Sequence, residues 1–164
     1  LLREQGLGAS AITLFYVTLG LGVVVSPWVW AGLLQRHRGG VQITVLNGLL
    51  ALATVLPVLS SHPVVVFASG ALFGGVFLQV VASTTAMVRH NIHPAAWGGG
   101  IAAFTIIFAV GQIVGPTLVG WIADGAGGLS RGFAVSAAVL AFGAGLGMLQ
   151  RGLPKRQAAP HAAR

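Results

Sequence analysis

The side chains able to do chemistry in this sequence are few, and their spacing argues against most reactions. His90 and His93 stand one helical turn apart and invite a metal pair, but no carboxylate or thiolate accompanies them. They read instead as polar residues at the end of an apolar run, like His37 and His62, while His161 falls in the C-terminal tail. Ser69 and Ser83 have no histidine within the surrounding apolar runs to act as base for a nucleophilic hydroxyl. Gly98-Gly99-Gly100 lacks the lysine and spacing of a phosphate loop and reads as a flexible start to a helix. With no cysteine, thiolate chemistry and disulfides are excluded. No catalytic residue, metal ligand or cofactor is expected, and the chain does not read as an enzyme.

Amides, hydroxyls and one phenol remain. Gln79 has Ser83 four residues on and Gly75 four before, all on one helical face. Gln112 shares a face with Thr105, Phe108 and Pro116. A carboxamide left unpaired in an apolar medium is costly, so each Gln must meet protein, water or a solute. Two readings stay open for both: a hydrogen bond between helices, or a place on a substrate path. Tyr16 is either an anchor at a membrane interface or a wall of a cavity.

The elements that must position these groups follow from composition. Of 164 residues, 55% are hydrophobic and only 7% charged, whereas a soluble domain carries about a quarter charged residues. Eleven ionised groups, nine Lys+Arg and two Asp+Glu, cannot coat a water-soluble monomer of this size. Five runs are long enough to cross a bilayer, at about 20 residues each. They cover about 10–34, 41–60, 63–88, 95–123 and 132–150, predicting an all-α, polytopic transmembrane bundle of five spans. Pro63 and Pro94 stand where helices begin, and Ser10 and Ser130 are candidate caps. Gly39-Gly40 and the glycines at 125, 127 and 128 break the runs, while Pro27, Pro57 and Pro116 fall inside them.

The net charge of +7 could suggest nucleic acid, but the cations sit in short clusters between apolar runs, so a lipid bilayer is the expected partner and nucleic acid is not. Alternating spans gather Arg36, Arg38, Arg89, Arg151, Lys155, Arg156 and Arg164 on one side. Arg3, Arg131, Glu4 and Asp124 fall on the other. The positive-inside rule makes the first side cytoplasmic, with the C-terminus inside. Residues 1–9 then read as the remnant of an external loop, 10–151 as the bundle and 152–164 as a cytoplasmic tail; Leu1 reads as a cut edge. No Asp, Glu, Lys or Arg falls inside any of the five predicted helices, so any proton relay lies elsewhere. The tryptophans Trp28, Trp30, Trp97 and Trp121 lie towards span ends, where an aromatic belt accounts for most of them.

Gly70/Gly74, Gly111/Gly115 and Gly143/Gly147 are each four apart, the spacing at which helix backbones approach closely in lipid. The fourth span carries the most specific text, Gly111-Gln112-Ile113-Val114-Gly115-Pro116-Thr117-Leu118-Val119-Gly120-Trp121-Ile122-Ala123-Asp124. This string resembles the Gly-xxx-Gly-Pro-xxx-Gly motif of the major facilitator superfamily, in the weaker form of its eleventh helix. The stretch from Ala31 to Gly40, with Gln35, Arg36 and Arg38, resembles that superfamily's cytoplasmic loop motif. Ala103 to Asp124, together with Ser26-Pro27-Trp28, is similar more particularly to the YbfB/YjiJ-type group. The loop motif's acid position holds Gln35 and its first glycine position Ala31, which puts a charge-network role for this loop in question.

The resemblance implies helices 8–12 of a twelve-helix transporter, with the N-terminal half of the same chain as the missing partner. It implies that the first, third and fourth spans line a central path. Gln79, Gln112, Tyr16, Ser83 and Thr105 are then pathway candidates, while Gly111, Gly115, Pro116 and Gly120 shape the fourth helix. The expected function is secondary active transport of a small solute by alternating access in an inner membrane, with export and proton coupling among its forms. A complete five-span scaffold or pore subunit, acting as an oligomer, is the alternative.

Overall fold

The computed structural model describes residues 8–37 and 39–152. Arg38, Arg3, Glu4, Lys155, Arg156, His161 and Arg164 lie outside the described residues. The described residues are all-α: α1 (Ala9–Arg36), α2 (Val41–Leu59), α3 (Pro63–Asn91), a single 3-10 turn (Pro94–Ala96), α4 (Trp97–Ala123) and α5 (Gly128–Leu149). Five helices are long and apolar enough to cross a membrane. α1, α3 and α5 run further than the apolar runs alone, so Arg36, Arg89 and Arg131 lie within terminal helical turns and the expectation of no charged residue inside a helix holds only for their middles.

The helix starts differ from two expectations. α1 is capped by Gly8 and α5 by Gly127, which places Ser10 and Ser130 inside their first turns. The α4–α5 turn explains the second difference. Gly127 has φ 104° and Gly128 φ 57°, both in the left-handed region that glycine adopts without strain, so the chain turns before Ser130 is reached. His62 and His93 each precede a proline and act as caps: Nδ1 accepts from the N–H of Val64 and of Ala95, both at 3.3 Å. An accepting Nδ1 requires a neutral ring with its proton on Nε2.

Packing is uneven. α1 lies along α3, and α2 is enclosed by α3 and α5, with Leu46, Leu50 and Val76 at the centre of the core. Glycines set these approaches. Gly22 faces the Ala71 carbonyl and Gly75 N, Gly74 faces the Leu19 carbonyl, and Gly70 receives the Phe15 ring. Between α2 and α5, Gly147 lies against Thr44 and Gly40, and Gly143 against Asn47. Only glycine leaves room for such backbone contact. Gly40 N–H also donates to the Gln150 carbonyl at 3.0 Å, and Thr44 Oγ1 to the Ala144 carbonyl at 3.1 Å.

α4 is different. It touches α5, where Gly132 meets Val119, and α3 near its start, where Gly100 meets Val88 and Ile92; none of its residues is buried. The ends of α1, α3 and α5 converge: His90 Nδ1 donates to the His37 carbonyl at 3.0 Å, and Gln150 meets Gly40. Arg36, Arg89 and Arg151 therefore share one end of the bundle, and Asp124 and Arg131 the other.

Candidate functional site

A proline inside a helix lacks the N–H that would bond to the carbonyl four residues earlier, and in lipid that carbonyl needs another donor. Three helices pose this problem. In α1, Pro27 frees the Val23 carbonyl, and Ser26 Oγ donates to it at 2.8 Å. Ser26 Oγ in turn accepts from Gln79 Nε2, also at 2.8 Å, so α3 is tied into the kink of α1. In α2, Pro57 frees the Ala53 carbonyl, and Ser69 Oγ of α3 donates to it at 2.8 Å. Both repairs are buried, with Ser26, Gln79 and Ser69 nearly inaccessible.

In α4, Pro116 removes the N–H that would serve the Gln112 carbonyl. The nearest hydroxyl, Thr117 Oγ1, donates instead to the Ile113 carbonyl at 2.9 Å, and no side chain among the described residues is directed at Gln112. The Gln112 side chain is exposed on the same turn. A backbone acceptor and a carboxamide thus stand together near the middle of an apolar helix. Both can bond to a solute, to water or to another helix, and neither is stable against hydrocarbon.

The pathway candidates separate into two groups. Gln79, in the α1–α3 interface, is 5% exposed, and Ser83 is 0% exposed, its Oγ donating to the Val80 carbonyl of its own helix at 2.6 Å. Gln112 and Thr105 are exposed on α4, with Thr105 Oγ1 bonded to the Ile101 carbonyl at 2.9 Å. Tyr16 is 64% exposed on α1, its ring edge-on to Phe15. These residues do not converge on one cavity within the chain. Nor do the motif glycines of α4 find neighbours: a methyl group added at Gly111, Gly115 or Gly120 would meet nothing within 4 Å.

Trp30 departs from the aromatic-belt expectation. Its Nε1–H donates to the Gly75 carbonyl at 2.7 Å, and its ring packs on the core. Trp28 and Trp121 are exposed. Trp97 lies under the Arg89 guanidinium, 5.5 Å from its ring centre, and donates to the Ile92 carbonyl at 3.0 Å.

The first turn of α2 holds a residue that the motifs do not include. Gln42 Nε2 donates to the Leu34 carbonyl at 3.0 Å and to that of His37, closing the end of α1, while its Oε1 is buried without a hydrogen-bond partner. Its signal was available: a lone amide in the first turn of an apolar helix must find acceptors nearby. Gln35 and Arg36 end α1 beside it, and neither forms an ion pair among the described residues.

Five apolar helices, with close glycine-mediated contacts between α1 and α3 and between α2 and α5 and with serine repairing the proline-freed carbonyls of α1 and α2, define an integral membrane protein of the polytopic α-helical class. Residues 1–148 match the family described as "Uncharacterised MFS-type transporter YbfB". The chain belongs to that family of the major facilitator superfamily, a family of transporters, whose partners are a membrane and a small-molecule solute. No curated protein and no solved structure matches it.

Proposed function

We propose that the chain supplies five helices of a secondary transporter that moves its solute by alternating access, with Gln112 on the transport path. The observation carrying this reading is the pairing of an exposed carboxamide with a proline-freed carbonyl on α4, a helix that is otherwise apolar and unburied. An acceptor and an amide at mid-depth suit a solute bearing N–H or O–H groups. Further helices of the same protein, the N-terminal half in this reading, pack opposite α4 and close the path. The open glycines at 111, 115 and 120 leave room for a moving partner there. Thr105 and Tyr16 extend the path, while the Gln79–Ser26 bond holds α1 and α3 as one unit that moves together.

The membrane is an inner membrane in this reading, with the arginine-bearing end and the C-terminus cytoplasmic. Export driven by a proton or solute gradient is the direction we favour, and the proton carrier lies outside these spans. Residues 1–9 form an external loop and 152–164 a cytoplasmic tail flanking the bundle.

A single cysteine at Gln112 in the full-length protein tests the path. A membrane-impermeant thiol reagent should reach it from both sides of sealed vesicles, in proportions that change when a solute or proton gradient is imposed. Labelling from neither side would place Gln112 against lipid or a fixed helix and end this reading. Labelling from one side alone, insensitive to gradients, would replace alternating access by a static pore.

A further inference from the structure

Two cavities meet at the α4–α5 end of the bundle. The larger, about 560 Å³, is a groove between α2, α3, α4 and α5. Its α4 wall is Gly115, Leu118, Val119 and Ile122, and its hydroxyls are already engaged. Thr54 Oγ1 donates to the Leu50 carbonyl and Ser136 Oγ to the Gly132 carbonyl, at 2.8 and 2.9 Å. The groove therefore offers carbon and no free donor. The smaller cavity, about 370 Å³, is lined by Trp121, Ile122, Asp124, Gly125 and Arg131, so Ile122 forms part of both.

The smaller cavity carries one charge of each sign. Arg131 Nη1 donates to the Ala126 carbonyl at 3.3 Å, leaving the rest of the guanidinium available, and no ion pair joins it to Asp124 among the described residues. Two unpaired opposite charges in one cavity complement a zwitterion whose charges are separated by a short spacer. The groove continues from them down α5 through Val135, Val139 and Leu140. At 1.5 Å per residue, Arg131 to Leu140 spans roughly 14 Å, close to the half-thickness of a bilayer core of about 30 Å. Trp121, exposed beside the charges, stands at the depth where indoles favour the headgroup boundary.

We propose that this end of the bundle binds a zwitterionic phospholipid with a primary amine, of the phosphatidylethanolamine kind. Its phosphate meets Arg131, its ammonium meets Asp124, and one acyl chain fills the groove. A quaternary choline headgroup carries no N–H to donate to Asp124, and a glycerol headgroup carries no cation, so both bind less well.

The test uses the full-length protein in nanodiscs containing equal parts of phosphatidylethanolamine, phosphatidylcholine and phosphatidylglycerol, followed by gentle extraction and native mass spectrometry. Phosphatidylethanolamine should be retained roughly tenfold over either competitor, the ratio one charge-assisted hydrogen bond supports. Asp124→Asn should erase that preference, whereas Arg131→Gln, at the phosphate common to all three, and Val139→Phe, on the exposed wall of the groove, should lower retention of all three lipids. Retention in proportion to bulk composition overturns the proposal, and that comparison needs no variant to fold. A preference that survives Asp124→Asn overturns this location. A dimer that Val139→Phe converts to monomer overturns it as well, by placing a second copy in the groove.

Discussion

The α1–α3 interface and the open side of α4 are built from the same residue types and differ in what those residues meet. Each has glycines four apart, a proline within the helix and a glutamine near mid-span. In the interface, Gly70 and Gly74 press on Phe15 and Leu19, the carbonyl freed by Pro27 is taken by Ser26, and Gln79 bonds to Ser26. On α4, Gly111 and Gly115 face open space, and the carbonyl freed by Pro116 and the Gln112 amide have no donor or acceptor from a neighbouring helix among the described residues. Small residues and kinks give a helix the capacity for close approach. A serine at the right register turns that capacity into a fixed joint. Where the serine is missing, the same features leave a surface able to take more than one partner.

The largest test of this contrast is steric. Gly74→Val places a side chain against the Leu19 backbone and should destabilise the bundle by about 3 kcal/mol or more. Gly111→Val meets nothing within 4 Å and should leave thermal stability in detergent unchanged. Equal losses for the two would erase the distinction between the surfaces.

Repair of the proline kink comes next. Ser69→Ala leaves the Ala53 carbonyl without a side-chain donor and should cost about 1–3 kcal/mol in equilibrium unfolding. Adding Pro57→Ala restores an N–H to that carbonyl and should recover most of the loss. A double variant no better than Ser69→Ala alone would show that the hydroxyl matters for some other reason.

The glutamines give a smaller, more specific readout. Gln79→Leu should lower stability by about 1 kcal/mol, the scale of a hydrogen bond between membrane helices. Gln112→Leu should leave stability unchanged or raise it, while lowering transport by the full-length protein in vesicles. If instead Gln79→Ala slows transport with stability held and Gln112→Leu does not, the path runs through the interface and not along α4. Smallest of all, Thr105→Val removes a hydroxyl bonded to its own helix and should shift stability by only a few tenths of a kcal/mol.

Much of the fold was legible because its cause is one-dimensional. Five apolar runs punctuated by Pro63, Pro94 and paired glycines specify five helices, and the close approach at Gly70/Gly74 and Gly143/Gly147 follows from a local spacing. The site was less legible because partners are set by three-dimensional register. Nothing in the text around Gln79 and Gln112 tells which one has a serine opposite. Ser26 drew notice only as part of a motif, although its place beside Pro27 and one turn from the freed carbonyl was a readable signal. Which tryptophans fall outside an aromatic belt was hidden for the same reason: Trp30 is bonded to the Gly75 carbonyl, 45 residues away. Ser130 failed as a cap because a backbone turn ended first, at Gly127 and Gly128, and α1 begins after Gly8, before Ser10 is reached.

The latch between the α1–α2 loop and the end of α5 has a consequence for the order of assembly. Thr44 and Ala144 are 100 residues apart, and Gly40 bonds to Gln150. A ribosome delivers α1, α2 and α3 to the membrane well before α5 exists. The α1–α3 joint can therefore set while synthesis continues, but α2 waits with the face that receives the α5 glycines uncovered until α5 arrives. Through that interval α2 is the helix most exposed to the insertion machinery and to mispairing, and a stop to translation before α5 would leave it without its partner.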